Sequence, residues 1–477
     1  MRHREPRWAQ PNNEVVSKTR KPVLTTRFSA RKGANRTRGL TGSGAVGSLP
    51  APAMVRRTLR GWRTRARVRI LIISWYFPPW NEVAGGRPYS WARHFVQHGH
   101  DVTVLTPEKD AQIHGTLNLP LEPMERLRVI ETPMRLRRTP IGKKATWATG
   151  SMAMAARLGR QHDIVISTHP HGCIHGLGRV ARLANPALYW CADYRDLWHD
   201  NYFFTEGKPV RRSLLRWVEK ALMRPVNLNV TVSEPLAARL RRTHPHVPCA
   251  VIYNGFHERD YREPQAADRL RERARAGLPF RILYTGTLYP GGYQDPEPLF
   301  AALSARPWSR PIQVSFYGPC AREPMLRELR DRYRLGGVVE LPEAYLSRAE
   351  SLAAQRDADL LLHLGWTDLK NDGWLSGKIF EYMAAGTPVL SVGAPPETAL
   401  GRLLSDSGSG CAVGRDTAAV VATLDLMVNQ GRLCDWYRPD PSRILRFSRE
   451  AQAERLLGLL VESVAGRASR NGLGMRV

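Results

Sequence analysis

The stretch Leu375-Ser-Gly377-Lys378-Ile-Phe-Glu381-Tyr-Met-Ala-Ala-Gly386-Thr-Pro388-Val-Leu-Ser-Val392 decides the architecture. A helix-forming run stops at Gly386 and Pro388, and a short apolar strand follows at once, the local pattern of a helix feeding a parallel strand. Outward from it, the same alternation repeats in two series. The later series predicts strands at Arg281–Thr285, Ile312–Tyr317, Val338–Leu341, Ala358–Leu364 and Pro388–Val392. The earlier one predicts Ile70–Ser74, Asp101–Leu105, Asp163–Thr168, Ala187–Asp193, Leu228–Ser233 and Ala250–Asn254, with helices such as Tyr89–Gln97 between them. Apolar residues on one helical face, from Ala453 to Val464, predict a closing helix.

A chain of 477 residues exceeds one ordinary core, and two series of βαβ units imply two domains. The expected organisation is a basic leader over residues 1–66, a first domain over 67–256, a charged linker over 257–279, a second domain over 280–446, the closing helix over 447–465 and a tail over 466–477. The net charge of +28 invites a nucleic-acid reading, but residues 1–69 alone carry 18 Lys and Arg against Glu5 and Glu14. The rest is only mildly basic, and no basic stripe interleaved with aromatics runs through it. The leader has no apolar periodicity and reads as disordered, with Met54 as an alternative start. No run nears the ~18 apolar residues of a membrane span. Six cysteines without a Cys-x-x-Cys pair point to buried thiols in a reducing cytoplasm.

In an open parallel sheet, ligands bind beyond the C-terminal strand ends, so the chemistry is sought in those loops. After the first strand, Gly85 and Gly86 open a helix without forming the dinucleotide fingerprint, which disfavours a nicotinamide enzyme. His169, His171 and His175 cluster in one loop, but Pro170 and Gly172 break helical register and no Cys or carboxylate completes a metal shell. A polar substrate contact through His169 ranks above a metal, a plain structural turn reads about equally well, and no metal site is assigned. The segment Asp193-Tyr-Arg195-Asp196-Leu-Trp198 puts charges near a core, which is costly unless they are paired or used. Gly286 and Thr287 follow another strand and suit backbone contact with a diphosphate. In the opening stretch, Gly377 admits a phosphate to a helix N-terminus, Lys378 adds a cation, and Glu381 one turn on can accept two ribose hydroxyls.

The order of these motifs resembles a bacterial family 4-like glycosyltransferase. The resemblance spans roughly residues 68–465 and rests on Gly85-Gly86, Tyr194-Arg195-Asp196-Leu197-Trp198, Val232-Ser233-Glu234, Asn254-Gly255-Phe256, Tyr284-Thr-Gly286-Thr-Leu288, Gly377 to Pro388, and Phe447-Ser448. It implies the GT-B fold, an α/β arrangement of two Rossmann-like doubly wound parallel-sheet domains facing across a cleft. It also implies a retaining transferase that moves a sugar from a nucleoside-diphosphate sugar to a saccharide or lipid-linked acceptor in cell-envelope or exopolysaccharide biosynthesis. The donor is a substrate, no cofactor or metal is expected, and the setting is cytoplasmic, with peripheral contact at the inner face of the membrane.

The resemblance assigns Gly85, Gly86, Gly286, Thr287, Gly377, Lys378 and Glu381 to the donor, and places catalytic candidates at Asp193, Arg195, Asp196 and His169. Two positions depart from the family. A glutamate eight residues before the ribose-binding one is common there, whereas this chain has Gly373, and a histidine common after the strand ending near Asp193 is replaced by Arg195 and Asp196. The competing readings are a sugar-nucleotide 2-epimerase on a similar fold, separable by product analysis, and a binding protein for nucleic acid or anionic membrane acting through the leader.

Overall fold

The apolar strand runs close into two parallel sheets. The computed structural model describes residues 67–80, 83–109, 120–134, 140–169, 172–201, 207–289 and 291–470. The expected leader over 1–66 with Met54, the positions Pro170 and His171, and the last seven residues lie outside them. The first sheet has seven strands in the order β3-β2-β1-β4-β5-β6-β7: β1 Arg69–Ser74, β2 Asp101–Pro107, β3 Leu127–Thr132, β4 Ile164–Thr168, β5 Tyr189–Tyr194, β6 Leu228–Thr231 and β7 Cys249–Val251. The second has six in the order β10-β9-β8-β11-β12-β13: β8 Phe280–Thr285, β9 Ile312–Tyr317, β10 Val339–Glu340, β11 Leu360–Leu364, β12 Val389–Val392 and β13 Gly410–Ala412. Every strand pair is parallel.

Strand alternation divides the side chains between two apolar layers on each sheet. Ile70 and Ile72 face one layer of the first sheet, while Leu71 and Ile73 face the other. In the second sheet Ile282 and Tyr284 take one side and Leu283 the other, against Ile379, Phe380 and Met383 of the helix Gly377–Ala384. The residues expected to link the domains form the helix Ala266–Arg275, whose Leu270 joins the core of the second sheet. The final helix, Arg449–Arg470, buries Ala453, Leu456, Leu457 and Leu460 beside Trp91 and Phe95 of the helix Val83–Gln97, in the first sheet's core. Each buried leucine there contributes about 2 kcal/mol. A chain that completes its second sheet thus returns to its first.

In each sheet strand order reverses beside the first strand of its series, between β1 and β4 and between β8 and β11. Loops diverge at such a switch point and leave a crevice. Among the described residues no helix is long and apolar enough to cross a membrane, and all six cysteines are unpaired.

Candidate functional site

Loops from the C-terminal ends of both sheets line one cleft of 590 Å³. The second sheet supplies Thr285, Gly286 and Thr287 around the end of β8, Gly318 after β9, His363 and Trp366 around the end of β11, and Ser376, Gly377, Lys378 and Glu381 at the start of a helix. The first sheet supplies Arg195 and Asp196 after β5, Val232 after β6 and Asn254 after β7.

The wall around Lys378 is tightly specified. Gly286 has a φ of 108°, a conformation that a residue with a Cβ rarely adopts. Its amide donates to the Tyr317 carbonyl at 2.8 Å and its carbonyl accepts from Cys320 at 3.1 Å. Lys378 lies beneath this loop, donating to the Tyr284 hydroxyl at 2.7 Å and the Thr287 carbonyl at 3.2 Å. Its ammonium also sits 4.1 Å from the centre of the Tyr284 ring. Among the described residues it has no carboxylate partner, and burial pulls its pKa down to about 8. At the helix N-terminus Ser376 makes no side-chain capping bond, and its hydroxyl lies 3.3 Å from His363 Nε2. Burial, and then the charge on Lys378, push His363 down to about 3, so its ring is neutral.

Glu381 is half-buried, with Arg348 at 3.6 Å. Arg348 opens a helix fixed by a capping box, in which Glu350 N–H donates to Ser347 Oγ at 3.2 Å and Ser347 N–H to the Glu350 carboxylate at 2.7 Å. A second cation arrives from far along the chain. Arg449, first residue of the final helix, lines the cleft with no ion-pair partner among the described residues and no hydrogen-bond partner at Nε. A cation at the positive end of a helix dipole is unfavourable. Burial lowers its pKa to about 10 despite the opposing charge of Glu381, with Arg348, Arg195 and Arg87 adding repulsion. Around Arg449, then, the cations Arg348, Arg195 and Arg87 outnumber the one carboxylate, Glu381.

The sequence-derived candidates therefore separate. Arg195, Asp196, Gly286, Thr287, Gly377, Lys378 and Glu381 are brought together in the cleft. Asp196 is half-buried there, and burial raises its carboxyl above the ordinary range against the opposing effect of Arg195 and a hydrogen bond to Trp374. Asp193 does not line the cleft. Its carboxylate, fully buried, accepts from Arg87 Nη2 at 2.9 Å, Arg87 Nε at 3.2 Å and Thr168 Oγ1 at 2.7 Å. His169 is buried nearby, its amide donating to the Asp193 carbonyl at 2.9 Å, and it is not among the cleft residues. Gly85 and Gly86 also stand outside the lining, but Gly86 leaves room for Arg449: a Cβ there would sit 2.8 Å from Arg449 Nη1.

Three contributors escaped the sequence reading: Arg449, His363 and Asn371. Asn371 is fully buried, lines the cleft, and has no hydrogen-bond partner at either side-chain polar atom among the described residues. Its neighbour Gly373 has a φ of 95°, and a Cβ there would meet Ser233 Oγ at 2.7 Å and Pro235 Cβ at 2.9 Å. A glutamate at Gly373 has no space. Asp372 instead accepts from the Ala399 amide at 2.8 Å and caps a helix. The available signal was positional: an Asn before a Gly in a loop, and an Arg opening a helix.

Residues 88–259 match the family model Glycosyltransferase Family 4. No curated protein matches the chain. Among solved structures, sucrose-phosphate synthase from Thermosynechococcus elongatus superposes with a TM-score of 0.60 at 19% identity, covering 84% of this chain and 100% of that one. HepE from Anabaena, in complex with UDP-glucose, gives 0.56 at 16% identity, covering 83% and 100%. The lipopolysaccharide outer core galactosyltransferase WaaB gives 0.54 at 12%, covering 83% and 99%. At such identities the likeness is one of fold, while the family match supplies the reaction class. The chain thus has the GT-B fold, and over residues 88–259 it is similar to Glycosyltransferase Family 4, which supports a glycosyltransferase.

Proposed function

We propose that this glycosyltransferase takes a nucleoside-diphosphate sugar into the cleft and moves the sugar, with retention at the anomeric carbon, to a saccharide or lipid-linked acceptor in cell-envelope or exopolysaccharide biosynthesis. The observation that carries the reading is that Lys378 and Arg449, which like Arg195 have no ion-pair partner among the described residues, line a 590 Å³ cleft beside a helix N-terminus whose Ser376 makes no side-chain capping bond. A diphosphate supplies the missing charge. HepE, of like fold, is recorded with UDP-glucose and with UDP, which supports such a donor.

In this reading Glu381 accepts the ribose hydroxyls, while Lys378, Arg449 and the amides of Thr287 and Gly377 hold the diphosphate, with Gly286 letting it approach the loop. Asn371 meets sugar hydroxyls. The bond from the anomeric carbon to the diphosphate oxygen breaks as the acceptor oxygen bonds that carbon on the same face, and the acceptor proton passes to the departing diphosphate. Fixed dipoles and cations stabilise the charge growing on the leaving group, so the scheme invokes no metal. Of the two acids at the end of β5, Asp196, just past the strand, is the one in the cleft to orient the acceptor, with Arg195 beside it, while Asp193, within the strand, holds Arg87. The protein works at the inner face of the membrane as a peripheral cytoplasmic enzyme.

Calorimetric titration of the full chain with UDP, GDP and ADP and their common sugar conjugates, repeated with Glu381→Ala, tests this. One nucleotide should bind, and the variant should lose about tenfold or more in affinity. Absence of binding to all of them, or binding indifferent to Glu381, overturns the donor assignment.

A further inference from the structure

The helix Pro209–Met223 buries one face and leaves another apolar face in water. Leu215, Val218, Glu219, Leu222 and Met223 point inward or are partly covered. Val210, Leu214 and Trp217, spaced as neighbours on one helical face, are 82%, 60% and 70% exposed. Of nine large hydrophobics exposed among the described residues, these three share a single helix, so they form a patch rather than scattered surface residues. Arg211 flanks the stripe on one side and Arg216 and Lys220 on the other. None of these three, nor Lys208, has an ion-pair partner among the described residues. Next to it lies a surface cavity of 720 Å³ lined by Lys208, Arg212, Arg216, Arg239 and Lys370, with Asp200 as its one carboxylate.

We propose that this face docks the enzyme on an anionic phospholipid bilayer, with Val210, Leu214 and Trp217 entering the interface and the basic cavity receiving lipid phosphates. The inference rests on and deepens the membrane placement proposed above, and it is independent of the donor assignment. An indole and aliphatic side chains rimmed by Lys and Arg match a helix lying in the plane of a membrane surface, where the apolar stripe enters the acyl boundary and the cations meet phosphates. A second copy of the chain is a poor partner, because two-fold packing would bring the cationic rims together. A nucleic acid would satisfy the cations but leave the apolar stripe in water. The placement also serves a transferase: Lys370 in the cavity is flanked by Leu369 and Asn371 in the cleft, and Arg239 of the cavity donates to the Lys370 carbonyl at 2.5 Å. A lipid phosphate in the cavity lies one loop from the cleft.

The test is sedimentation of the full chain with vesicles of phosphatidylcholine alone or with roughly 30% phosphatidylglycerol, at about 0.15 M and 0.5 M NaCl, the higher salt suppressing the contribution of the basic leader. Leu214→Glu/Trp217→Glu should lower partitioning on the mixed vesicles at least about tenfold at both salts. Arg216→Ala/Lys220→Ala should lower it about 25-fold at the lower salt, about fivefold per cation, and much less at the higher. Both variants change exposed positions and should keep the circular dichroism and nucleotide binding of the parent. Equal partitioning of parent and Leu214→Glu/Trp217→Glu overturns the proposal, as does binding to phosphatidylcholine alone as strong as to the mixed vesicles. Two further results overturn it: loss, in Leu214→Glu/Trp217→Glu, of a concentration-dependent dimer with vesicle binding intact, which would make the face an interface between copies, or loss of binding to a single-stranded RNA with vesicle binding intact.

Discussion

Replacing Lys378 by methionine keeps the length of the side chain and removes its charge. In the free protein that charge is held at about 8 against an ordinary 10.5, chiefly by burial. The depression corresponds to about 3 kcal/mol of unfavourable interaction in the folded state. Because the folded pKa lies below the unfolded one, the charged form is penalised in the folded chain at neutral pH. The penalty is relieved as pH rises through about 8. Lys378→Met should therefore leave the free protein as stable or more so near pH 7, and flatten the alkaline rise that Lys378 contributes. A bound diphosphate restores the missing partner and raises the pKa, so binding takes up a proton above about pH 8. Parent affinity for a nucleotide sugar, whose diphosphate has no further proton to lose, should fall by up to about tenfold per pH unit beyond that point. Methionine should cost about 2–3 kcal/mol of binding, roughly 30- to 150-fold, and remove that slope. Calorimetric titrations between about pH 7 and 9, paired with thermal unfolding of the free proteins, read both effects. A variant that keeps the parent's slope, or binds within about twofold of it, would refute the assignment of Lys378 to the diphosphate.

Two further outcomes separate structure from catalysis. Asp193→Asn leaves Arg87 buried beside a neutral amide, so urea unfolding should show a loss of about 3–5 kcal/mol, while the kcat of the variant that remains folded should change far less than that of Asp196→Asn. Gly373→Ala places a Cβ against Ser233 and Pro235 at a φ of 95°, so it should lower the unfolding midpoint by several degrees, consistent with about 1–3 kcal/mol; an unchanged midpoint would show that this loop yields.

Much of the second sheet's contribution was legible because its elements are local. Gly377, Lys378 and Glu381 lie on one helix whose i, i+4 hydrogen bonds set their spacing whatever surrounds it. The strands expected at Ile70–Ser74 and Ile312–Tyr317 appear at Arg69–Ser74 and Ile312–Tyr317, since long apolar runs have few other ways to be buried. The strands that were missed are β3, half-exposed with Arg128 and Glu131 along it, and β13, of three residues. Both lie at sheet edges, where packing on one side only weakens the apolar signal.

What the sequence by itself determined was the alternation of helix and strand, the two series, the motif order that marks the family, and the phosphate-suited start of one helix. Which charges would be free was decided only by tertiary structure. Asp193 and Asp196 look alike in the chain, three residues apart, yet Arg87, 106 residues upstream of Asp193, takes up that carboxylate and leaves Asp196 to the cleft. Arg449 enters the site because the final helix folds back onto the first sheet's core, and Gly86 is small where that guanidinium passes. Pairing in space follows strand order and the packing of distant apolar faces, and a period of two or 3.6 residues carries no record of either.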